Sequence, residues 1–99
     1  MSKESDFQGK LRKELEEDIF PGCIVLKNDS GYISGIPDLT ILHPNGKYAV
    51  LECKRSSKET ERPNQGYYIH EFNKGAYASF IYPENKSEVI NELKKFFED

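Results

Sequence analysis

Residues 38–54 read Asp38-Leu39-Thr40-Ile41-Leu42-His43-Pro44-Asn45-Gly46-Lys47-Tyr48-Ala49-Val50-Leu51-Glu52-Cys53-Lys54. Two apolar runs, 38–42 and 48–54, flank Pro44-Asn45-Gly46-Lys47, and Asn-Gly between such runs is a strong hairpin signal. The second run is apolar at consecutive positions, as in a strand covered on both faces. It then ends in Glu-Cys-Lys. Side chains alternate along a strand, so Glu52 and Lys54 share a face, and Asp38 opens the neighbouring strand.

Outward from the hairpin, Cys23-Ile24-Val25-Leu26 is a short strand, preceded by Pro21-Gly22 and followed by loop-like sequence through Ser34-Gly35. Residues 2–18 read as a helix with Phe7, Leu11 and Leu15 at i, i+4, i+8. On the other side, residues 55–62 are a polar, charged loop. Pro63 suits the first turn of a second helix running to about Asn73, with Gly75 beyond it. Residues 77–82 form a fourth strand, Pro83-Glu84-Asn85 breaks it, and an amphipathic helix carries Val89, Ile90, Leu93, Phe96 and Phe97. The expected order is α-β-β-β-α-β-α, an α/β fold with helices flanking a mixed four-stranded sheet.

The chain has 99 residues, net charge -3 (14 Lys+Arg against 17 Asp+Glu), 36% hydrophobic and 31% charged residues. That is one domain's worth, residues 1–99, with a modest core that self-association can extend. No apolar run approaches the ~18–20 residues that cross a bilayer, and residues 1–6 lack the apolar segment of a secretory signal. A cytoplasmic location without membrane attachment is expected. Cys23 and Cys53 lack CxxC spacing and read as core residues of a reducing compartment. Neither His43, expected to face solvent, nor His70 has a partner at metal-ligand spacing. Gly31-Tyr32-Ile33-Ser34-Gly35 matches no phosphate-binding fingerprint, so no nucleotide cofactor is expected.

The chemistry-bearing residues are Asp38, Glu52 and Lys54. Two hard carboxylates suit Mg²⁺ or Mn²⁺, which keep waters and take phosphate oxygens, and an adjacent ammonium can stabilise charge developing at phosphorus. The ordinary alternative is a cross-strand surface ion pair. Placement at the end of a buried strand favours a partnered or metal-bound pair, because an unpartnered buried charge is costly. Glu4 falls with Phe7, Leu11 and Leu15 within roughly an 80° arc at ~100° per residue. It is either a third acid of the same pocket or a solvated first-turn carboxylate favoured by the helix dipole. Gln65 opens the second helix, as a surface glutamine or as a group that positions phosphate or water. Lys10, Arg12 and Lys13 on the first helix, with Arg55, Lys58 and Arg62 in the loop, are solvated charges or contacts to backbone phosphates.

Gly35-Ile36-Pro37-Asp38, Leu51-Glu52-Cys53-Lys54 and Pro63-Asn64-Gln65, in that order, resemble the PD-(D/E)XK nucleases. Within them the chain is similar to the small VRR-NUC-type nucleases of bacteriophages and prophages, to which residues 3–8 and 81–86 also look alike. It also resembles the archaeal Holliday junction resolvases. The resemblance implies a restriction-endonuclease-like core and metal-dependent phosphodiester hydrolysis in a bacterial cytosol. It implies Asp38, Glu52 and the Cys53 carbonyl as ligands of Mg²⁺ (Mn²⁺ substituting), with Glu4 joining directly or through water. Lys54 becomes the catalytic lysine and Gln65 the glutamine of the second helix. Cys53 stands where the family commonly has an aliphatic residue; the role implied there belongs to its backbone. The expected activity is a Mg²⁺-dependent DNA endonuclease, selective for branched or four-way-junction DNA and acting as a homodimer. The competing readings are a non-catalytic DNA-binding or interaction module on the same fold, and a structural phage protein.

Overall fold

The computed structural model describes the backbone of residues 3–29 and 31–99, and side chains from Asp6 onward within that span. Helix α1 covers Lys3–Glu14 and continues as a π-helical turn over Leu15–Ile19. Strands β1 (Ile24–Lys27), β2 (Leu39–Leu42) and β3 (Tyr48–Cys53) follow, then α2 (Gln65–Phe72), β4 (Tyr77–Ile81) and α3 (Lys86–Glu98). The element order is the expected one. The sheet runs β1-β2-β3-β4, antiparallel across the first two pairs and parallel between β3 and β4, so it is mixed as the sequence implied.

The register sorts every strand residue onto one of two faces. Val25, Ile41 and Ala49 lie in one row and Leu39 and Leu51 in another. These point to the core with Leu11, Leu15 and the buried side of α3: Val89, Ile90, Leu93 and Phe97. Leu26, Thr40, Val50 and Ala78 form a row on the opposite face. Extending the β2–β3 register by one residue sets Asp38 opposite Glu52 on that same face. The face is therefore apolar at one end and acidic at the other.

The hairpin turn fastens this sheet to α3. Gly46 sits at φ 92, where a side chain would be strained, and its N–H donates to the His43 carbonyl. Asn45 Nδ2 donates to the Phe97 carbonyl at 2.8 Å and Lys47 Nζ to the Phe96 carbonyl at 2.9 Å. An amide and an ammonium thus satisfy the last carbonyls of α3, where the helix dipole favours positive charge. His43, expected to face solvent, is instead half-buried and stacked on Phe97 with ring centroids 4.7 Å apart; the turn folds it down against the helix end.

Other differences sit at element ends. The first helix does not stay α-helical to residue 18: the Phe20 N–H bonds the Leu15 carbonyl, five residues back, and both side chains are buried. Glu16 Oε2 in the same turn accepts the Val25 N–H at 2.8 Å, which fixes the helix to the edge strand. Strand β1 begins one residue later than expected, because Cys23 bonds back to Phe20. Pro63 precedes α2 rather than occupying its first turn. Asn64 intervenes at φ 73, a left-handed conformation that Asn tolerates better than most residues.

Candidate active site

Asp38 is held from both neighbouring strands. Its carbonyl accepts the Asn28 N–H at 2.7 Å, continuing the β1–β2 ladder, and its Oδ2 accepts the Cys53 N–H at 2.8 Å. A carboxylate has about four acceptor sites, so this bond leaves capacity for a cation. Asn28 steadies the approach to Asp38 by donating through Nδ2 to the Pro37 carbonyl (2.9 Å) and Thr40 Oγ1 (2.8 Å).

Glu52 and Lys54 are both buried, each with 3% of its surface exposed, and Gln65 joins them. Gln65 Nε2 donates to Glu52 Oε2 at 2.8 Å, while its Oε1 accepts from Lys54 Nζ at 2.6 Å. The two charges fix which end of the amide faces which. Gln65 Oε1 also accepts the Arg62 N–H at 2.7 Å, so the glutamine ties the preceding loop to the sheet. Lys54 Nζ further donates to the Thr60 carbonyl at 3.3 Å, lies 3.6 Å from Glu59 Oε2, and sits 5.6 Å from the centre of the Phe80 ring. Such partners are what a buried ammonium needs to offset its lost hydration.

Asp38, Glu52 and Gln65 line one cleft of about 290 Å³ together with Gly35, Ile36 and Arg62. Lys54 lies behind Gln65 and lines the adjoining polar cavity with Glu59 and Phe80. Among the described residues no group of three His, Cys, Asp or Glu forms a metal cluster. The donor set is two hard carboxylates beside open space, which fits Mg²⁺ or Mn²⁺ retaining several waters. The side chain of Glu4 lies outside the described residues. The remaining basic candidates are all exposed: Arg55, paired at 3.5 Å with Glu59, Lys58 in the same loop, and Lys10, Arg12 and Lys13 on α1, outside the cleft lining. Only Arg62, among these six, lines the cleft.

Three contributors were given no role from the sequence, although Gly35 belongs to the motif quoted there. Gly35 sits at φ +85, and a Cβ there would lie 2.6 Å from the Asn64 Cβ and 3.0 Å from the Asn64 carbonyl carbon. This close approach brings the loop carrying Asp38 against the residue before Gln65. A glycine three residues before the acid was the available signal. Glu59 and Thr60, within a loop read only as polar, supply partners for Lys54. Glu59 also accepts the Arg55 N–H at 3.0 Å, and Ser57 bonds Glu84 through its N–H and hydroxyl, so the loop is anchored at several points.

No protein-family model matches the chain, and no curated protein matches it. Solved structures do. One described as a VRR_NUC domain superposes with a TM-score of 0.69 at 28% identity, over 96% of this chain and 97% of its own. The chain has a VRR-NUC nuclease-type fold. A second structure, described as a VRR_NUC domain protein, agrees in fold: TM-score 0.70, 17% identity, 99% of this chain and 90% of that one. The restriction-endonuclease-like α/β core expected from the sequence is thus present. On this fold the Asp38 strand, the Glu-x-Lys strand and the glutamine of α2 converge at one end of the sheet.

Proposed function

We propose that the chain is a divalent-metal-dependent DNA endonuclease, selective for branched DNA such as a four-way junction. The observation that carries the proposal is the convergence of Asp38 and Glu52 on one cleft, with Gln65 linking Glu52 to a buried lysine. A surface module has no need to bury a carboxylate and an ammonium and then bridge them, since that arrangement costs desolvation.

Asp38, Glu52 and the Cys53 carbonyl would hold Mg²⁺ or Mn²⁺, with Glu4 as a further ligand on the strength of the resemblance. The bound cation would supply Lewis acidity toward a phosphate oxygen and a more acidic water. The protein residues do the rest. Asp38, held through Oδ2 by the Cys53 N–H, presents its remaining lone pairs at a fixed place. Gln65 orients Glu52 by donating to one of its oxygens. Lys54, its ammonium fixed behind the cleft by Gln65 and Thr60, would add positive charge toward the phosphate through Gln65 and would reach the attacking water only by releasing one of these partners. Arg62 contacts a backbone phosphate at the cleft, and Lys10, Arg12, Lys13, Arg55 and Lys58 contact phosphates further along without reading bases. A symmetric pair of chains would present two clefts to two strands. Support for self-association comes from edge strand β1, which exposes 55% of Ile24 and 45% of Leu26.

The test is cleavage of labelled four-way junction, flap and plain duplex DNA with and without Mg²⁺ or Mn²⁺. Metal-dependent cleavage favouring the junction is expected. Asp38→Asn abolishes it and Lys54→Ala lowers the rate by roughly 10²–10³-fold, the scale of one lost electrostatic stabiliser. Metal-independent binding without cleavage of any substrate would establish the binding-module reading instead.

A further inference from the structure

A second cavity, of about 540 Å³, opens on the same sheet face as the catalytic cleft. Ile36 lines both. Its apolar surface comes from three directions: Tyr32 on the loop after β1, Tyr48 on β3 and Phe72 at the end of α2. Tyr32 is 87% exposed and holds no place in the core, so its ring is available to cover an occupant.

One end of the cavity is polar, formed by Asn28 and Asp29. Both hydrogens of the Asn28 amide are spent on Pro37 and Thr40, which leaves its oxygen as an acceptor in a fixed orientation. Asp29 is also an acceptor, its Oδ1 taking the Gly31 N–H at 2.7 Å. Among the described residues no lysine or arginine lines the cavity. The chemistry therefore excludes a phosphate and fits a flat, uncharged ring carrying an N–H donor at one edge. Aromatic walls stack on any base, while an acceptor-only polar end favours the two-hydrogen exocyclic amino group of cytosine N4 over thymine, whose single N3–H lies between two carbonyls that a carboxylate repels.

We infer that this cavity binds an unpaired, amino-bearing nucleobase next to the phosphate handled by Asp38 and Glu52. The inference rests on the nuclease reading for its substrate class and names what that reading leaves open: the feature that marks a branched DNA for this chain. A fully paired duplex keeps its bases stacked and cannot fill the cavity. A flap or an opened junction can.

The test is fluorescence anisotropy in EDTA, so that binding is read without cleavage, using a flush duplex and duplexes carrying a three-cytosine or a three-thymine flap. The wild-type chain binds the cytosine flap more tightly than the thymine flap, and at least about 5-fold more tightly than the flush duplex, the low end of what one base–aromatic stack contributes. Tyr32→Ala removes that margin and leaves flush-duplex binding unchanged; Tyr32→Phe keeps it. Asp29→Asn, which retains the acceptor for Gly31, brings the cytosine and thymine flaps together. Equal binding of the two flaps by wild type, or a margin that survives Tyr32→Ala, overturns the inference. So does a Tyr32→Ala chain whose sedimentation shows a lost dimer, because the cavity is then an interface between copies. Running cleavage in Mg²⁺ in parallel separates the two proposals. Discrimination without cleavage removes the nuclease reading alone, and cleavage without discrimination removes the base site alone.

Discussion

Gln65 is the residue on which the acidic end of the sheet turns. Its amide stands between a buried carboxylate and a buried ammonium, donating to one and accepting from the other. Gln65→Ala removes two hydrogen bonds to charged groups at a site that admits little water. A loss of about 2–4 kcal/mol in unfolding free energy is expected by urea denaturation, from ~1.5–3 kcal/mol for each charge-assisted bond less what water recovers. Gln65→Glu is expected to be worse, since it sets a second carboxylate against Glu52. A stability change below about 0.5 kcal/mol for Gln65→Ala would mean that the bridge is not maintained in solution. Gly35→Ala tests a different kind of dependence. A methyl group there meets Asn64 at 2.6 Å on a backbone with φ +85. The loop must retreat from α2, carrying Asp38 with it, so nuclease activity should fall further than stability does. Unaltered activity would show that the contact does not place Asp38.

The elements show which parts of the fold a sequence exposes and which it conceals. Strands β2 and β3 were legible because Asn-Gly marks the turn and the consecutive apolar run of residues 48–51 marks a strand covered twice. Helix α3 was legible from its 3.6-residue apolar spacing, and Leu93 lies fully buried in it as that spacing requires. Leu93→Ala is therefore expected to cost about 2–5 kcal/mol by denaturant titration, as for other buried leucines cut to alanine; under 1 kcal/mol would contradict the packing of α3 on the sheet. The π turn was not legible. Nothing in Leu15–Ile19 disfavours an α-helix; the turn widens where Glu16 reaches the β1 N–H and Phe20 enters the core, both long-range facts. The same holds for the site. Asp38, Glu52, Lys54 and Gln65 could be picked out by order and residue type. The partners of Lys54 could not, because Glu59 and Thr60 belong to a loop whose sequence carries no periodicity and whose form depends on bonds to Lys54, Arg55 and Glu84.

At the scale of the whole molecule, one sheet carries two functions on opposite faces. The face toward α1 and α3 is the apolar core, and the other holds the acidic cleft and the aromatic cavity. Both cysteines lie on the closed side of this arrangement, buried and outside any disulfide, and burial raises the Cys23 thiol above its ordinary pKa. The native chain should therefore show no fast reaction with a thiol reagent at neutral pH, and both thiols should react on denaturation; rapid modification of the folded chain would show a looser core. Among the described residues no helix is long and apolar enough to cross a membrane. The exposed side chains of edge strand β1 are expected to be covered by a second copy. Ile24→Lys should then shift sedimentation from dimer to monomer, and an identical profile would place the interface elsewhere or remove it.

The roles proposed for Asp38 and Glu52 require a cation between them. Crystals grown with Mn²⁺ and measured for anomalous scattering test that directly. A peak is expected in the cleft, at about 2.0–2.3 Å from carboxylate oxygens of both residues as for a small hard divalent ion, and no peak there in crystals of Asp38→Asn. A peak elsewhere with an empty cleft, or one held without either carboxylate, would contradict those roles.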